Sequence, residues 1–453
     1  MDATTEKLVD YTLGTDYADL PDVVTAACKD RILDTLGCVA AAYHHPVSVT
    51  ARRLAARYSM DTPATILGSG QKTMPEMAAF ANSVMLRVLD MSDTYRVKSG
   101  GHPSDIMGAA FAAAEIGDPS GESLITAITI GYEVYCGCCD AIDLNSLGWD
   151  QPVYGVVASA LCAGKLMGLS REQLAHAVAL AAVPNMAMIQ TRKGELSAWK
   201  GCAGANAARN GLFAVLLAQE GITGPAMPFD GTFGMQDIVG PIDWPLQPGE
   251  PPTRIARTNL KSFPICYHGQ AATWAAVELH EGLDVDDIES VDVKTYNRSF
   301  EMMASSPANW TPQTRETADH SLPYVVGMAL LSGGIDDASF SDQALRSPAI
   351  GALMQRISVT EDPSLSAKHP EFSPSRVTVR LRDGREITKA VDAPKGDNTN
   401  PMTSKEVKDK FKGLFVDYGT DGQASLVIDA VDRLETLPDI RSLVQAFDYC
   451  QGA

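Results

Sequence analysis

The segment from Leu89 to Asp105 reads Leu-Asp-Met-Ser-Asp-Thr-Tyr-Arg-Val-Lys-Ser-Gly-Gly-His-Pro-Ser-Asp, and it lies between two apolar stretches with helical spacing. Before its final Asp105 it contains two carboxylates, two cations and one histidine, namely Asp90, Asp93, Arg96, Lys98 and His102. Such a polar segment between two apolar helices predicts a site near the histidine, which can transfer a proton near neutral pH. The alternative interpretation is that these residues only cap the two helices.

Helical spacing of apolar residues extends on both sides of this segment. A first helix is predicted after Pro21, and others are predicted at residues 48–58, 77–89, 104–114, 121–141, 154–167 and 171–181. Several of these helices are rich in Ala and Gly, and small side chains let helix backbones approach closely. The sequence therefore predicts a compact helical bundle up to residue 221.

The pattern changes after residue 221. Residues 221–261 are rich in Pro and Gly, which predicts a long connecting region. Alternating apolar residues then predict strands at residues 291–295 and 357–359, and a hairpin whose type I′ turn contains Asp383 and Gly384. Helical spacing returns after residue 396. We therefore predict a mainly α protein, with a large all-helical domain formed by both chain ends (residues 1–262 and 396–453) and a smaller α+β lid domain (residues 263–395).

Charge and composition argue against several classes of partner. The 453-residue chain has a formal net charge of -19, which repels nucleic acid and anionic lipid. No apolar run reaches the ~20 residues that span a bilayer. The nine cysteines are mostly scattered, and the acidic N-terminus does not resemble a signal peptide. We expect a cytoplasmic protein that binds neither nucleic acid nor membranes.

Two lysines lie where the sequence favours a site for an anion. Lys200 is surrounded by Ala and Gly, with Arg192 nearby, so it lies either at a cavity or in solvent. Lys261 and His268 lie where the helical pattern gives way to α+β sequence, and ligand sites favour such junctions. The alternative is that both lysines are simply solvated.

A second group of candidates precedes a later apolar helix. His320 and Tyr324 lie in the sequence Asp-His-Ser-Leu-Pro-Tyr that starts at Asp319. The alternative for Tyr324 is a buried tyrosine whose hydroxyl is bonded elsewhere in the core. The cysteines at residues 136–139 lack a second Cys or His pair at zinc spacing, so we expect buried thiols there and no metal site.

Five blocks of this sequence together resemble the MmgE/PrpD family over essentially the whole chain. This family contains 2-methylcitrate dehydratase, cis-aconitate decarboxylase and iminodisuccinate epimerase. The blocks are residues 89–94 with His102-Pro103-Ser104, residues 199–201 with 207–211, Lys261-Ser262-Phe263-Pro264, residues 318–324, and Lys395-Gly396 with Asn400-Pro401-Met402. Each block alone is weak evidence for the resemblance, but five blocks in the same order are strong evidence.

The resemblance implies a homodimer with a cofactor-free, metal-free site in the cleft between a helical domain and a lid. The residues that it implies as catalytic are Asp90, His102, Lys200, Lys261 and Tyr324. We expect the substrate to be contacted by a further set, namely Asp93, Thr94, Asp150, Arg192, His268 and His320.

The resemblance further implies a cofactor-independent lyase that removes a proton next to a carboxylate of a small polycarboxylate. His102 is expected to be the base, and the two lysines are expected to stabilise the developing negative charge. Where the decarboxylase branch has a histidine after Gly148-Trp149, this chain has Asp150, which favours dehydration of a 2-methylcitrate-like substrate. Decarboxylation of cis-aconitate type, epimerisation of iminodisuccinate type and a non-catalytic carboxylate-binding protein are the alternatives.

Overall fold

A computed structural model describes residues 1–58 and 60–449, and it is mainly α-helical, as predicted. The longer helices of the N-terminal half are Ala3–Gly14, Asp22–Ala41, Pro46–Ala55, Pro75–Arg87, Met107–Ile116, Gly121–Ala141, Pro152–Leu166, Arg171–Ala182 and Trp199–Gln219. Those of the C-terminal half are Gln270–His280, Leu322–Ser332, Ser404–Phe415 and Asp421–Asp432. Shorter helical segments connect them.

The predicted strands belong to one four-stranded sheet. Its order is Ile357–Glu361, Ile288–Thr295, Ser375–Leu381 and Glu386–Val391. The first pair is parallel and the other pairs are antiparallel. The helices Gln270–His280 and Leu322–Ser332 pack on this sheet, so the predicted α+β character of this region is confirmed.

The hairpin is present, but its predicted turn type was wrong. A type I′ turn needs positive φ at both central residues, whereas Gly384 has φ 87 and Asp383 is not among the non-glycine residues of the described chain with positive φ. The amide of Gly384 donates to the Leu381 carbonyl, and the amide of Leu381 donates to the Arg385 carbonyl. These bonds close a three-residue loop, in which a type I turn is followed by a left-handed glycine.

Close helix packing is confirmed in the N-terminal half. The helices Pro152–Leu166 and Trp199–Gln219 pack against each other, and a Cβ at Gly211 would lie 2.6 Å from Cβ of Ser159. Glycine at residue 211 is therefore what allows this approach. The connecting region, residues 221–261, is largely irregular as predicted, and its Trp244 is buried and donates to the Val134 carbonyl.

Two main hydrophobic clusters form the core. One draws buried residues from Leu8 to Leu260 and from Val407 to Phe447, and the other draws them from Phe263 to Leu381. The division of the chain into a discontinuous helical domain and a lid stays a prediction. Within the part of the chain that the structure describes, every helix is too short or too polar to cross a bilayer.

Candidate active site

Asp90 lies at the centre of the candidate site, and its backbone is held in an unusual conformation. It follows the helix Pro75–Arg87 and has φ 54, a left-handed value that Asp tolerates better than most residues. Two backbone hydrogen bonds join Thr94 to Asn259, at 2.8 and 2.7 Å. This bridge brings the segment after Asp90 next to the segment that carries Lys261.

Three buried cations surround the Asp90 carboxylate. Its Oδ1 lies 2.7 Å from Nη1 of Arg87 and 2.6 Å from Nζ of Lys261, and its Oδ2 lies 3.1 Å from Nζ of Lys200. Burial by itself would raise the pKa of Asp90, but Arg87, Lys200 and Lys261 hold it well below its ordinary value. Asp90 is therefore an anion at neutral pH.

A second buried carboxylate, Asp319, lies on the other side of Lys200. Nζ of Lys200 is 2.8 Å from Oδ1 of Asp319, and Nη1 of Arg315 is 3.2 Å from Oδ2. The same Oδ1 lies 2.5 Å from Nδ1 of His320. The amide of Cys266 donates to the Asp319 carbonyl, which places the Cys266 segment beside this cluster.

His102 is oriented so that its free ring nitrogen points toward Asp90. Its Nδ1 lies 2.7 Å from the backbone carbonyl of Asp93, which can only accept, so Nδ1 carries the proton. Nε2 then holds a lone pair, and it lies 4.0 Å from Oδ1 of Asp90. Burial and the Arg87 and Lys261 cations hold the pKa of His102 well below its usual value, so the ring is neutral at pH 7.

His320 faces the other carboxylate oxygen of Asp90 and, unlike His102, is a cation. Its Nδ1 lies 4.0 Å from Oδ2 of Asp90. Burial and Lys200 act to lower the pKa of His320, but Cys266 and Asp319 outweigh them and raise it to about 9. A neutral histidine and a cationic histidine thus face the same carboxylate.

A cavity of about 710 Å³ opens beside these two histidines. Eight of the residues singled out from the sequence line it, namely Asp90, Thr94, His102, Asp150, Arg192, Lys261, His268 and His320. Lys200 lies directly behind Asp90 and is 3% exposed, so the alternative that it is solvated was wrong. Lys261 is also buried and lies at the cavity wall, not in solvent.

The remaining two predicted residues lie outside the cavity wall. Asp93 is buried; its Oδ1 accepts from the amide of Ser104, and burial raises its pKa. It therefore supports the His102 segment from behind. Tyr324 is not brought to the site, because its hydroxyl donates to the carbonyl of Ser339 at 2.6 Å and its ring lies in the second hydrophobic cluster. The alternative predicted for it, a satisfied core tyrosine, is what the structure has.

The cavity wall has further features, and two of its residues, Arg96 and Cys266, were not among the predicted site residues. Arg96, which the sequence marks only as one of two neighbouring cations, has a partly buried guanidinium that contacts His268 and Tyr296 at the cavity wall. Arg192 pairs with Asp150 at 3.2 Å. Cys266 also lines the cavity; burial would raise the pKa of its thiol, but His320 holds it below the ordinary value.

The helix predicted at residues 104–114 starts later in the structure. Residues Pro103–Ile106 form a 3₁₀ turn, and the α-helix begins at Met107 without a side-chain cap. The amide of Ser104 donates to Oδ1 of Asp93. Gly101 is needed for the close approach of Tyr135, whose hydroxyl would lie 2.2 Å from a Cβ there.

The side chains of Asp90, Asp319 and His320 lie within 4.8 Å of one another, a spacing that could hold a metal ion. However, Nζ of Lys200 already bridges both carboxylates, so a divalent cation would have to displace a buried ammonium. The arrangement fits an internal ion cluster better than a metal site. The prediction of a site without metal or cofactor stays a prediction.

Comparisons with known proteins cover nearly the whole chain. Models of the MmgE/PrpD N-terminal and C-terminal domains match residues 6–246 and 263–436. The chain is 27% identical to a 2-methylcitrate dehydratase of Escherichia coli, over 95% of this chain and 94% of that protein. It is 25% identical to a cis-aconitate decarboxylase-like protein of Aspergillus oryzae (97% and 96%) and 26% identical to a cis-aconitate decarboxylase of Mus musculus (98% and 93%). With both domain models matched in order over most of its length, the chain belongs to the MmgE/PrpD family.

Proposed function

We propose that this protein is a hydro-lyase that removes water from a small hydroxy-polycarboxylate of the 2-methylcitrate type. One observation carries the proposal: His102 and His320 lie 4.0 Å from opposite oxygens of Asp90, and their pKa values are displaced in opposite directions. Two titratable groups with pKa values pushed apart make a suitable base and acid. The 2-methylcitrate dehydratases among the relatives support the same reaction class.

In this mechanism His102 and His320 act on neighbouring carbon atoms of the substrate. Nε2 of His102 takes the proton from the carbon next to a carboxylate, and the electron pair of that C–H bond becomes the second bond of the new C=C. The C–O bond breaks with its electron pair on oxygen, and the His320 imidazolium gives that oxygen a proton, so water leaves. His102 then releases its proton to solvent and His320 takes one up, which restores the starting state.

The two lysines have different roles in this mechanism. Nζ of Lys261 donates to the Asp90 carboxylate and to the Asp90 carbonyl, which leaves one of its three N–H groups for the cavity. That donor can stabilise the enolate-like charge that develops on the substrate carboxylate. Lys200 is fully engaged by Asp90 and Asp319, so it is a positioning residue.

One observation favours dehydration over decarboxylation. Asp150, at the position where the sequence resemblance would place a histidine in the decarboxylase branch, is buried and paired with Arg192. A carboxylate at this position cannot give a proton to carbon in the way that a protonated histidine can. Epimerisation is the second candidate, because His102 and His320 lie on two sides of one carboxylate and could act on opposite faces of a carbon.

The test is incubation of the protein with 2-methylcitrate, citrate, cis-aconitate and iminodisuccinate in D₂O, in separate samples with and without EDTA, followed by NMR. Loss of water identifies the dehydratase, loss of CO₂ the decarboxylase, and deuterium incorporation with inversion the epimerase. Equal rates with and without EDTA are expected for a site that needs no metal. Loss of CO₂ from cis-aconitate or inversion of iminodisuccinate, without loss or addition of water in any sample, would overturn the proposal, and no change in any sample would favour a carboxylate-binding protein.

We also propose a homodimer, which rests on the family resemblance, and a cytoplasmic location, which rests on the scattered cysteines and the acidic N-terminus. Light scattering after size exclusion tests the first, with a mass of twice the 48.3 kDa of one chain expected. Fractionation of the source cells tests the second.

A further inference from the structure

Arg96 is a partly buried cation whose partners are all neutral. It lies in the short strand Tyr95–Arg96, and its Nη1 lies 3.0 Å from Nδ1 of His268 and 3.4 Å from the Tyr296 hydroxyl. Because a guanidinium can only donate, Nδ1 of His268 must accept, which makes that imidazole neutral. Nη2 donates to the hydroxyl of Ser373. None of these groups carries negative charge.

The carboxylate that would normally accompany such a cation is missing. The other three arginines that line the cavity have carboxylate partners, namely Arg87 with Asp90, Arg192 with Asp150 and Arg298 with Glu301. Within the described part of the chain, no carboxylate oxygen lies within 4.0 Å of Arg96. Asp397 acts on Arg96 from a longer distance, and its own oxygens accept from Tyr267 and Thr399. A charge that is partly removed from water and lacks a counter-ion is unfavourable, so an external anion is the expected partner.

Two donors of Arg96 remain unused. A guanidinium has five N–H groups. Three are engaged by His268, Tyr296 and Ser373. The two that remain are on Nε, which is buried without a partner, and on Nη2. Because Arg96 lines the cavity, its guanidinium can bind a carboxylate there through a charge-assisted hydrogen bond.

We propose that Arg96 is the centre of a carboxylate subsite in the cavity, separate from the His102 and His320 end. The inference rests on the proposed function, and it adds that the substrate carries a carboxylate beyond the one next to the reacting carbon. Tyr267 shapes this subsite, since its ring lies 4.3 Å below the guanidinium carbon. Arg96 thus selects polycarboxylates with a distal carboxylate and sets their orientation.

The test compares inert ligands that differ by one carboxylate. Tricarballylate has three carboxylates and no hydroxyl to eliminate; methylsuccinate lacks one terminal carboxylate, and glutarate lacks the central one. Their dissociation constants are measured by calorimetry with the wild type, Arg96→Gln, Arg96→Lys and the control Lys98→Gln. Lys98 is a suitable control because it is a neighbouring cation whose ammonium is exposed and donates to the Ala141 carbonyl.

Either methylsuccinate or glutarate lacks the carboxylate that Arg96 binds. For the wild type, we expect tricarballylate to bind about 10- to 100-fold more tightly than that ligand, which is the contribution of a hydrogen bond between charged groups. This ratio should fall to about 1 in Arg96→Gln, take an intermediate value in Arg96→Lys, and stay at the wild-type value in Lys98→Gln. Arg96→Lys keeps the positive charge, so its affinity ratio still tests the inference if Arg96→Gln does not fold.

Equal ratios in the wild type and both Arg96 variants would overturn the inference. If the protein releases water from a hydroxy-polycarboxylate but shows equal ratios, only the Arg96 subsite is wrong. If the wild type binds none of the three ligands, the polycarboxylate class in the proposed function is wrong as well.

Discussion

Replacing Asp319 by Asn tests why His320 is a cation. Oδ1 of Asp319 lies 2.5 Å from Nδ1 of His320, and the pKa of His320 is about 9. At pH 7 the imidazolium therefore outnumbers the neutral ring by roughly 100 to 1. A hydrogen bond to a charged group contributes about 1.5–3 kcal/mol, and about 1.4 kcal/mol corresponds to one pH unit. We therefore expect Asp319→Asn to lower the pKa of His320 to between about 7 and 8.

Long-range ¹H–¹⁵N NMR spectra of protein labelled at the histidine ring nitrogens measure this pKa directly. The chain has 8 histidines, and His102→Gln and His320→Gln assign the two signals of interest. The same spectra check that His102 stays neutral with its proton on Nδ1. The control is Asp337→Asn: Asp337 binds Nε of Arg315 at 3.0 Å and is half exposed, so its removal should leave the pKa of His320 unchanged.

The protonation state of His320 also determines how activity depends on pH. His320 must be protonated to act as the acid, so kcat/KM should fall as the pH rises through about 9. Asp319→Asn should move this alkaline limb to lower pH by the same amount as the pKa. A wild-type His320 that titrates at or below pH 6.5, or a pKa that Asp319→Asn leaves unchanged, would refute the assignment of His320 as a cationic acid.

Three other changes test the remaining parts of the site. His102→Gln should lower kcat/KM at least ~100-fold, because it removes the base, and near-wild-type turnover in the NMR assay would end its role. Lys200→Met should raise the pKa of His320 in the same spectra, since the ammonium of Lys200 acts to lower it; a decrease would contradict the electrostatic account. Cys266 should be alkylated faster by iodoacetate than by uncharged iodoacetamide, relative to free cysteine, because its thiol pKa is held down by His320 and cations line the cavity. Peptide mapping by mass spectrometry measures this, and a polycarboxylate substrate should protect the thiol.

The fold follows from local sequence wherever helices have clear ends. The helix predicted at residues 121–141 is present as Gly121–Ala141, because Ser120 caps its first turn. The predictions at residues 48–58 and 154–167 started two residues late, since the helices start at Pro46 and Pro152, and proline is favoured at the first helical position. The turn at Asp383-Gly384 was mispredicted because Asp-Gly occurs in both two- and three-residue loops.

The site was predictable only in part, because contacts between distant segments decide it. Lys200 is buried in an ion pair with Asp319, which lies 119 residues away in the chain. Nothing near Lys200 in the sequence indicates this pair. Arg96 is partly buried by contacts with Tyr296 and Ser373, which lie 200 and 277 residues away in the chain. Tyr324 was expected at the site because its sequence block also contains His320, but the helix Leu322–Ser332 turns its side chain toward Ser339.

The distribution of charge gives a reason for the direction in which a substrate would bind. At the inner end, the cations Arg87, Lys200 and Lys261 already hold the Asp90 carboxylate, and Lys200 also holds Asp319. In a chain of net charge -19, a substrate anion is attracted most by a cation that has no carboxylate partner. Arg96 is such a cation. On the proposed assignment, it holds the distal carboxylate, and the inner end is left to the C–H and C–O bonds that His102 and His320 act on.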